Sequence, residues 1–262
     1  MRKEAWTYAL AGTVPGGFGL FLRWLQCQII FDETGLPARN APVSWLLVIY
    51  LAAMVAALWW LSGRYTPGEV PLEPEEAFAC TTGQTGLFLG MGAVAVGLGA
   101  ALMFLRGESM ILRIIALLGI LSAPVIGMFP SLPRWGGFGA GLGLSPAVFF
   151  SLWLVMFYKV NAVNPLLWQY AMEILAIAGC LLAVYRAAGC LYYRYDPRKS
   201  IFSCALAAAL SLMVLMDDIS MGERVMFAGW AICFGVLCWI LVAGFYPDKI
   251  EENPEENKEN QE

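Results

Sequence analysis

The chain has 262 residues, of which 60% are hydrophobic and 14% charged, with a mean hydropathy of +0.67. A soluble domain is nearer 45–50% apolar and about 25% charged, so the composition excludes an ordinary water-soluble globule and predicts an all-α integral membrane protein. The chain lacks histidine, which removes His-based acid–base catalysis, imidazole metal sites and His-ligated haem.

In chain order, apolar segments lie near 5–30, 44–62, 84–105, 110–129, 146–160, 166–192, 200–217 and 224–245. Most approach the roughly 20 residues needed to cross a hydrocarbon core of about 30 Å. A bundle of about eight transmembrane helices follows, with seven as the alternative because the fifth segment is short and the seventh ends polar. The N-terminus, MRKEAWTYALAG, sets a basic stretch before an apolar one without a small-x-small cleavage site, and reads as an uncleaved first span. Val14-Pro15-Gly16-Gly17 should kink or interrupt that span, since Pro removes a donor and Gly weakens helix preference. Pro124 marks a second kink in the fourth.

The third span carries small-xxx-small pairs at Gly86/Gly90, Ala93/Gly97 and Ala95/Gly99. Such pairs let helix backbones approach closely in lipid, which places this span in the middle of the bundle. GGFGAGLG at 136–143 fits neither Walker spacing nor GxGxxG and reads as a flexible cytoplasmic loop. The seven cysteines show no CxxC pair, lie mostly in apolar runs and read as small core residues. Residues 1–246 form the transmembrane domain; the acidic stretch 247–262 reads as a disordered cytoplasmic tail.

Lys and Arg in the connecting loops set orientation. With eight spans and both termini cytoplasmic, Arg2, Lys3, Arg64, Arg134, Arg194, Arg198, Lys199, Lys249 and Lys258 lie inside. Only Arg39, Arg106, Lys159 and Arg224 lie outside.

Charged groups within spans are costly and usually face protein or water. Under this orientation Arg23, Gln26 and Gln28 fall in the outer half of the first span, and Arg113 near the outer end of the fourth. Gln169 and Glu173 share a face one turn apart in the outer part of the sixth. Asp217 and Asp218 close the seventh span outside, and Arg224 opens the eighth. A shared depth predicts an outward-facing polar pocket formed from Arg23, Gln26, Arg113, Gln169, Glu173, Asp217 and Asp218, with Glu173 between the two arginines. Arg186 lies near an inner helix end and reaches the cytoplasmic headgroups.

The run LRWLQ…FDETGLP resembles a segment of uncharacterised multi-pass membrane proteins of anaerobic Gram-positive bacteria. That resemblance implies a bacterial cytoplasmic membrane and carries no activity with it. A retinal protein is excluded, because residues 200–245 contain no lysine for a Schiff base. The leading expectation is a binding or transport-associated protein using the polar pocket. The alternatives are a scaffold or sensor subunit whose charges face partner helices, and a membrane enzyme acting on lipid. The absence of histidine and of a catalytic motif such as DDxxD disfavours the enzyme. The expected surroundings are the lipid bilayer and other membrane subunits, with an unidentified small-molecule or ion ligand, no cofactor, no metal and no nucleic acid.

Overall fold

A computed structural model describes residues 3–29, 42–65, 73–78, 81–107, 110–161 and 167–245, with the side chains of 3–6, 9, 42–43 and 167–169 outside that description. The turn expected at 32–40, Cys80 and the acidic tail lie outside the described residues. Among the described residues there are ten α-helices and no strand: α1 (Lys3–Ile29), α2 (Pro42–Arg64), α3 (Pro74–Phe78), α4 (Gly83–Arg106), α5 (Met110–Gly127), α6 (Gly136–Gly143), α7 (Ser145–Asn161), α8 (Leu167–Leu191), α9 (Pro197–Met213) and α10 (Met221–Gly244). Short 3₁₀ segments follow α5 (Phe129–Trp135) and α9 (Val214–Met216).

Seven stretches are long and apolar enough to cross a membrane: α2, α4, α5, the run Phe129–Asn161 through α6 and α7, α8, α9 with its 3₁₀ turn, and α10. The chain is therefore a multi-pass helical membrane protein. At 27 residues α1 is about 40 Å long, but Arg23, Gln26, Gln28 and its glycines lower its hydropathy, and it falls outside this set.

Small residues determine how α1 sits. A Cβ added at Gly12 would stand 2.7 Å from Ala205 O, one at Gly16 2.7 Å from Ala209 Cα, and one at Gly19 2.6 Å from Met213 Sδ. The partners on α9 advance with residue number, so α1 runs parallel to α9 along its length. The next position on this stripe is Arg23, opposite Asp217.

A second close approach joins α4 to α10. A Cβ at Gly99 would stand 2.5 Å from Met226 N and 2.6 Å from Gly222 O, and one at Gly229 would stand 2.7 Å from Gly92 O. Gly92 faces Gly229 and Gly99 faces Gly222, so the two helices are antiparallel and touch backbone to backbone at sites seven residues apart.

Several expectations require correction. The close face of α4 is formed by Gly92 and Gly99, whereas an added Cβ at Gly86 or Gly90 would meet nothing within 4 Å. Nor is α4 central: 39% of its span is buried, against 67% for α9 and 72% for α10. Small residues make one tight face without enclosing a helix on all sides. α1 continues unbroken through Pro15, and Tyr50 donates its hydroxyl to Pro15 O at 2.5 Å. α5 likewise continues through Pro124. GGFGAGLG is not a loop but α6, whose entry residue Gly136 has φ +56° and whose Gly139 packs against Leu132.

α9 starts with Asp196 as its N-cap, accepting from Lys199 N at 3.3 Å and pairing with Lys199 Nζ at 2.7 Å. Partial burial alone would raise the Asp196 carboxyl, but the Lys199 side chain and backbone outweigh it and hold it below the usual carboxylate value.

Gly99→Ala should destabilise the protein by roughly the 1–3 kcal/mol of an overpacked site, while Gly90→Ala, pointing into open space, should leave thermal stability in detergent unchanged or slightly raised. Asp196→Ala should cost about 1 kcal/mol at neutral pH. Because the native pKa is depressed, that stabilisation is present above the unfolded value of about 3.9 and disappears as pH falls through the lower native value. Wild-type and variant melting curves should therefore converge in acid.

Candidate functional site

The C-terminal ends of α1, α7 and α9 meet the N-terminal ends of α8 and α10 around a cavity of about 630 Å³. In a bundle otherwise packed with apolar side chains, its described walls include Arg23, Glu173, Asp217, Asp218, Glu223 and Arg224.

Arg23 forms the core of this site. Its Nε lies 2.5 Å from Asp217 Oδ1, with both side chains 2% exposed. Its Nη1 donates to Gln26 Oε1 at 2.5 Å, and Gln26 Nε2 donates to Ser44 Oγ at 3.2 Å. The chain Asp217–Arg23–Gln26–Ser44 therefore ties the end of α9 through α1 to the start of α2. The helical spacing makes this possible: Arg23 and Gln26 are three residues apart and share one face of α1.

Asp217 is held from its backbone as well. Its N–H donates to Val214 O, closing the 3₁₀ turn, and its carbonyl accepts from Arg224 Nη2 at 3.0 Å. Ser220 then starts α10 with a capping box: its hydroxyl accepts from Glu223 N, and its own N–H donates to Glu223 Oε2. This local arrangement brings three carboxylates and an arginine into eight residues, 217–224.

Not every polar atom in the cavity is satisfied within the protein. Glu173 is 5% exposed, and its Oε1 has no hydrogen-bond partner. Asp217 Oδ2 and Arg224 Nε are also buried without one. Counting side chains on the described walls, Glu173, Asp217, Asp218 and Glu223 stand against Arg23 and Arg224.

An aromatic layer lies deeper in α7 and α10. Trp153 lies one turn below Phe157 on α7, and Phe227 one turn below Glu223 on α10, with ring centroids 5.1 Å apart. Phe150, Trp230 and Phe234 continue this layer, and all five rings are at most 1% exposed. A close-packed aromatic layer therefore lies one turn beyond the cavity's wall residues on α7 and α10.

Of the residues expected at a polar pocket, Arg23, Glu173, Asp217 and Asp218 line this cavity. Gln26 is fully buried behind Arg23. Gln28 is exposed. Gln169 lies in the first turn of α8, with its side chain outside the described residues. Arg113 is exposed on α5, donates from Nε to Gly107 O at 3.1 Å, and does not line the cavity. The expected placement of Glu173 between Arg23 and Arg113 is thus replaced by an Arg23–Asp217 pair, because α9 lies alongside α1. Arg224 also lines the cavity, and Cys27, Phe157, Asn161, Tyr170, Ser220 and Glu223 are wall residues beyond those expected. Only the S-x-x-E spacing at Ser220–Glu223, a capping signature, could have pointed to any of them in advance.

Compared with known protein families, curated proteins and solved structures, the chain matches none.

Removing one member of a buried ion pair leaves an uncompensated charge and typically costs about 3–5 kcal/mol. Arg23→Gln and Asp217→Asn should each lower stability in detergent on that scale, and the double variant should lose markedly less than the sum. Additive losses would show that the two groups are uncoupled.

Proposed function

We propose that the protein binds a small hydrophilic solute in the cavity around Arg23 and Asp217, and that this binding serves uptake or sensing at a bacterial cytoplasmic membrane. The observation that carries this reading is a cavity of about 630 Å³, within the 300–1,000 Å³ typical of small-molecule sites, lined by buried charged groups inside a lipid-embedded bundle. Ionisable groups at such depth are most economically explained by a water-accessible path or a ligand.

The excess of Lys and Arg in loops at the opposite end supports an opening toward the outside, with both termini cytoplasmic. The aromatic layer favours a pocket closed at its inner end over a continuous open pore. The scaffold alternative requires the charges within helices to point away from the bundle. Arg23, Glu173 and Asp217 instead point inward, and the exposed Arg113 lies only four residues into α5, where it bonds Gly107 O just before the helix.

Cys27 provides a native probe, because it lines the cavity and is only half-buried. In a Cys80→Ser background, a membrane-impermeant maleimide added to intact cells should label Cys27. A mixture of small hydrophilic solutes of every charge class should slow that labelling. Should Cys27 prove slow to react, Asn161→Cys on the opposite wall serves the same purpose. Labelling only from the cytoplasmic side, in inverted vesicles, would overturn the outward opening. Outside labelling that no solute retards would overturn the binding reading.

A further inference from the structure

We infer that the solute is a small organic cation carrying a primary ammonium group, held by the carboxylates of Glu173 and Asp217. This rests on the reading of the cavity as a solute site and specifies its chemistry.

An acidic cluster alone would say little; the decisive feature is where the unused hydrogen-bonding capacity lies. Glu173 Oε1 and Asp217 Oδ2 are both buried on the cavity wall, and neither has a partner. A carboxylate oxygen only accepts when ionised, so the two atoms together call for a ligand with several donors. An ammonium supplies three in a compact group. Glu173 also has no ion-pair partner among the described residues, whereas Asp217 shares its other oxygen with Arg23. A carboxylate stays ionised at such burial only when it is paired, and a bound cation supplies that pairing.

The surrounding charge agrees. Four carboxylates against two guanidiniums on the described walls leave an excess of negative charge. One guanidinium, Arg23, is engaged by Asp217 and Gln26. The other, Arg224, has a buried Nε without a partner. It can donate to an acceptor on the ligand such as a hydroxyl or carbonyl oxygen. An amine with a nearby oxygen would therefore fit better than a bare alkylamine.

A simple anion is disfavoured for the same reason. It would have to approach Glu173 and Asp217 while finding just one unpartnered buried donor nitrogen among the described lining residues. A bare metal ion is also a poorer match, because the described residues contain no group of three or more acidic or thiol ligands placed to hold one.

The test uses the full-length protein in phosphatidylcholine nanodiscs at pH 7 and constant ionic strength. n-Propylammonium, n-propanol and propionate, which share a carbon skeleton and differ in charge, are titrated separately while the rate of Cys27 labelling is followed. Propylammonium should protect and the other two should not. Ethanolammonium should protect at lower concentration than propylammonium. Glu173→Gln should weaken propylammonium protection about tenfold or more, the loss of one charge-assisted hydrogen bond, while the exposed Arg113→Gln should leave it unchanged.

Adding phosphatidylethanolamine to the nanodiscs separates the two sources of such a group. Competition with propylammonium would assign the site to a lipid headgroup, and its absence would assign it to a free solute. Either result retains the ammonium specificity. Protection by propionate or propanol at concentrations as low as propylammonium would overturn the cation assignment while leaving a solute-binding cavity in place. Undiminished protection in Glu173→Gln would overturn the role of Glu173. Failure of every probe to protect would overturn this inference, and failure of the broader solute mixture as well would overturn the binding reading beneath it. The comparison of the three probes needs only the Cys80→Ser background and no change in the cavity, so it stands even if Glu173→Gln does not fold.

Discussion

The architecture depends on how closely two helix backbones can approach when no Cβ lies between them. Lipid provides little hydrophobic drive for helices to associate, so close contact must supply it through packing. Gly92 and Gly99 meet Gly229 and Gly222 across α4 and α10, and Gly12 and Gly16 meet Ala205 and Ala209 across α1 and α9. These two seams differ in direction, one antiparallel and one parallel. The first secures α4 against the most deeply buried helix. The second aligns α1 with α9 so that their C-terminal ends finish together.

That alignment makes a charged site possible. Arg23 continues the small-residue stripe of α1 and Asp217 follows the end of α9, so the same register that seats Gly12, Gly16 and Gly19 brings guanidinium and carboxylate into contact. A buried pair of this kind contributes little net stability against apolar side chains of equal volume. Its presence is better understood as organisation: Arg23 links α9, α1 and α2, and it leaves the second oxygen of Asp217 facing the cavity. The capping box at Ser220 then turns the chain sharply into α10, which brings Glu223 and Arg224 to the same rim. Packing at depth thus determines which polar groups share the space above it, and an aromatic layer lies deeper in α7 and α10.

Much of this was legible in the chain. The helix boundaries expected from apolar runs and loop punctuation agree with the structure to within a few residues, as in 84–105 against Gly83–Arg106 or 166–192 against Leu167–Leu191. Polar residues in α1, α8 and the turn after α9, expected at one level, line one cavity. The expectations that failed were of two kinds. Local propensity predicts a break at Pro15 and a loop at 136–143, whereas both segments are helical: Tyr50 bonds the Pro15 carbonyl, and α6 packs through Gly139 and Gly143 on one face. The partner of Arg23 and the close-packed face of α4 are not legible in the chain, because each depends on which helix lies alongside.

The reason is geometrical. Composition and the length of each apolar run are properties of consecutive residues. By themselves they determined a helical membrane protein, the limits of its spans and the shared level of Arg23, Glu173 and Asp217 along their helices. The azimuth of each helix and the order of helices around the bundle depend on contacts between residues far apart in the chain, such as Arg23 with Asp217 or Gly99 with Gly222. Only the tertiary structure could decide these, because side-chain packing between neighbours, and not the run of residues along one helix, selects the face each helix turns inward.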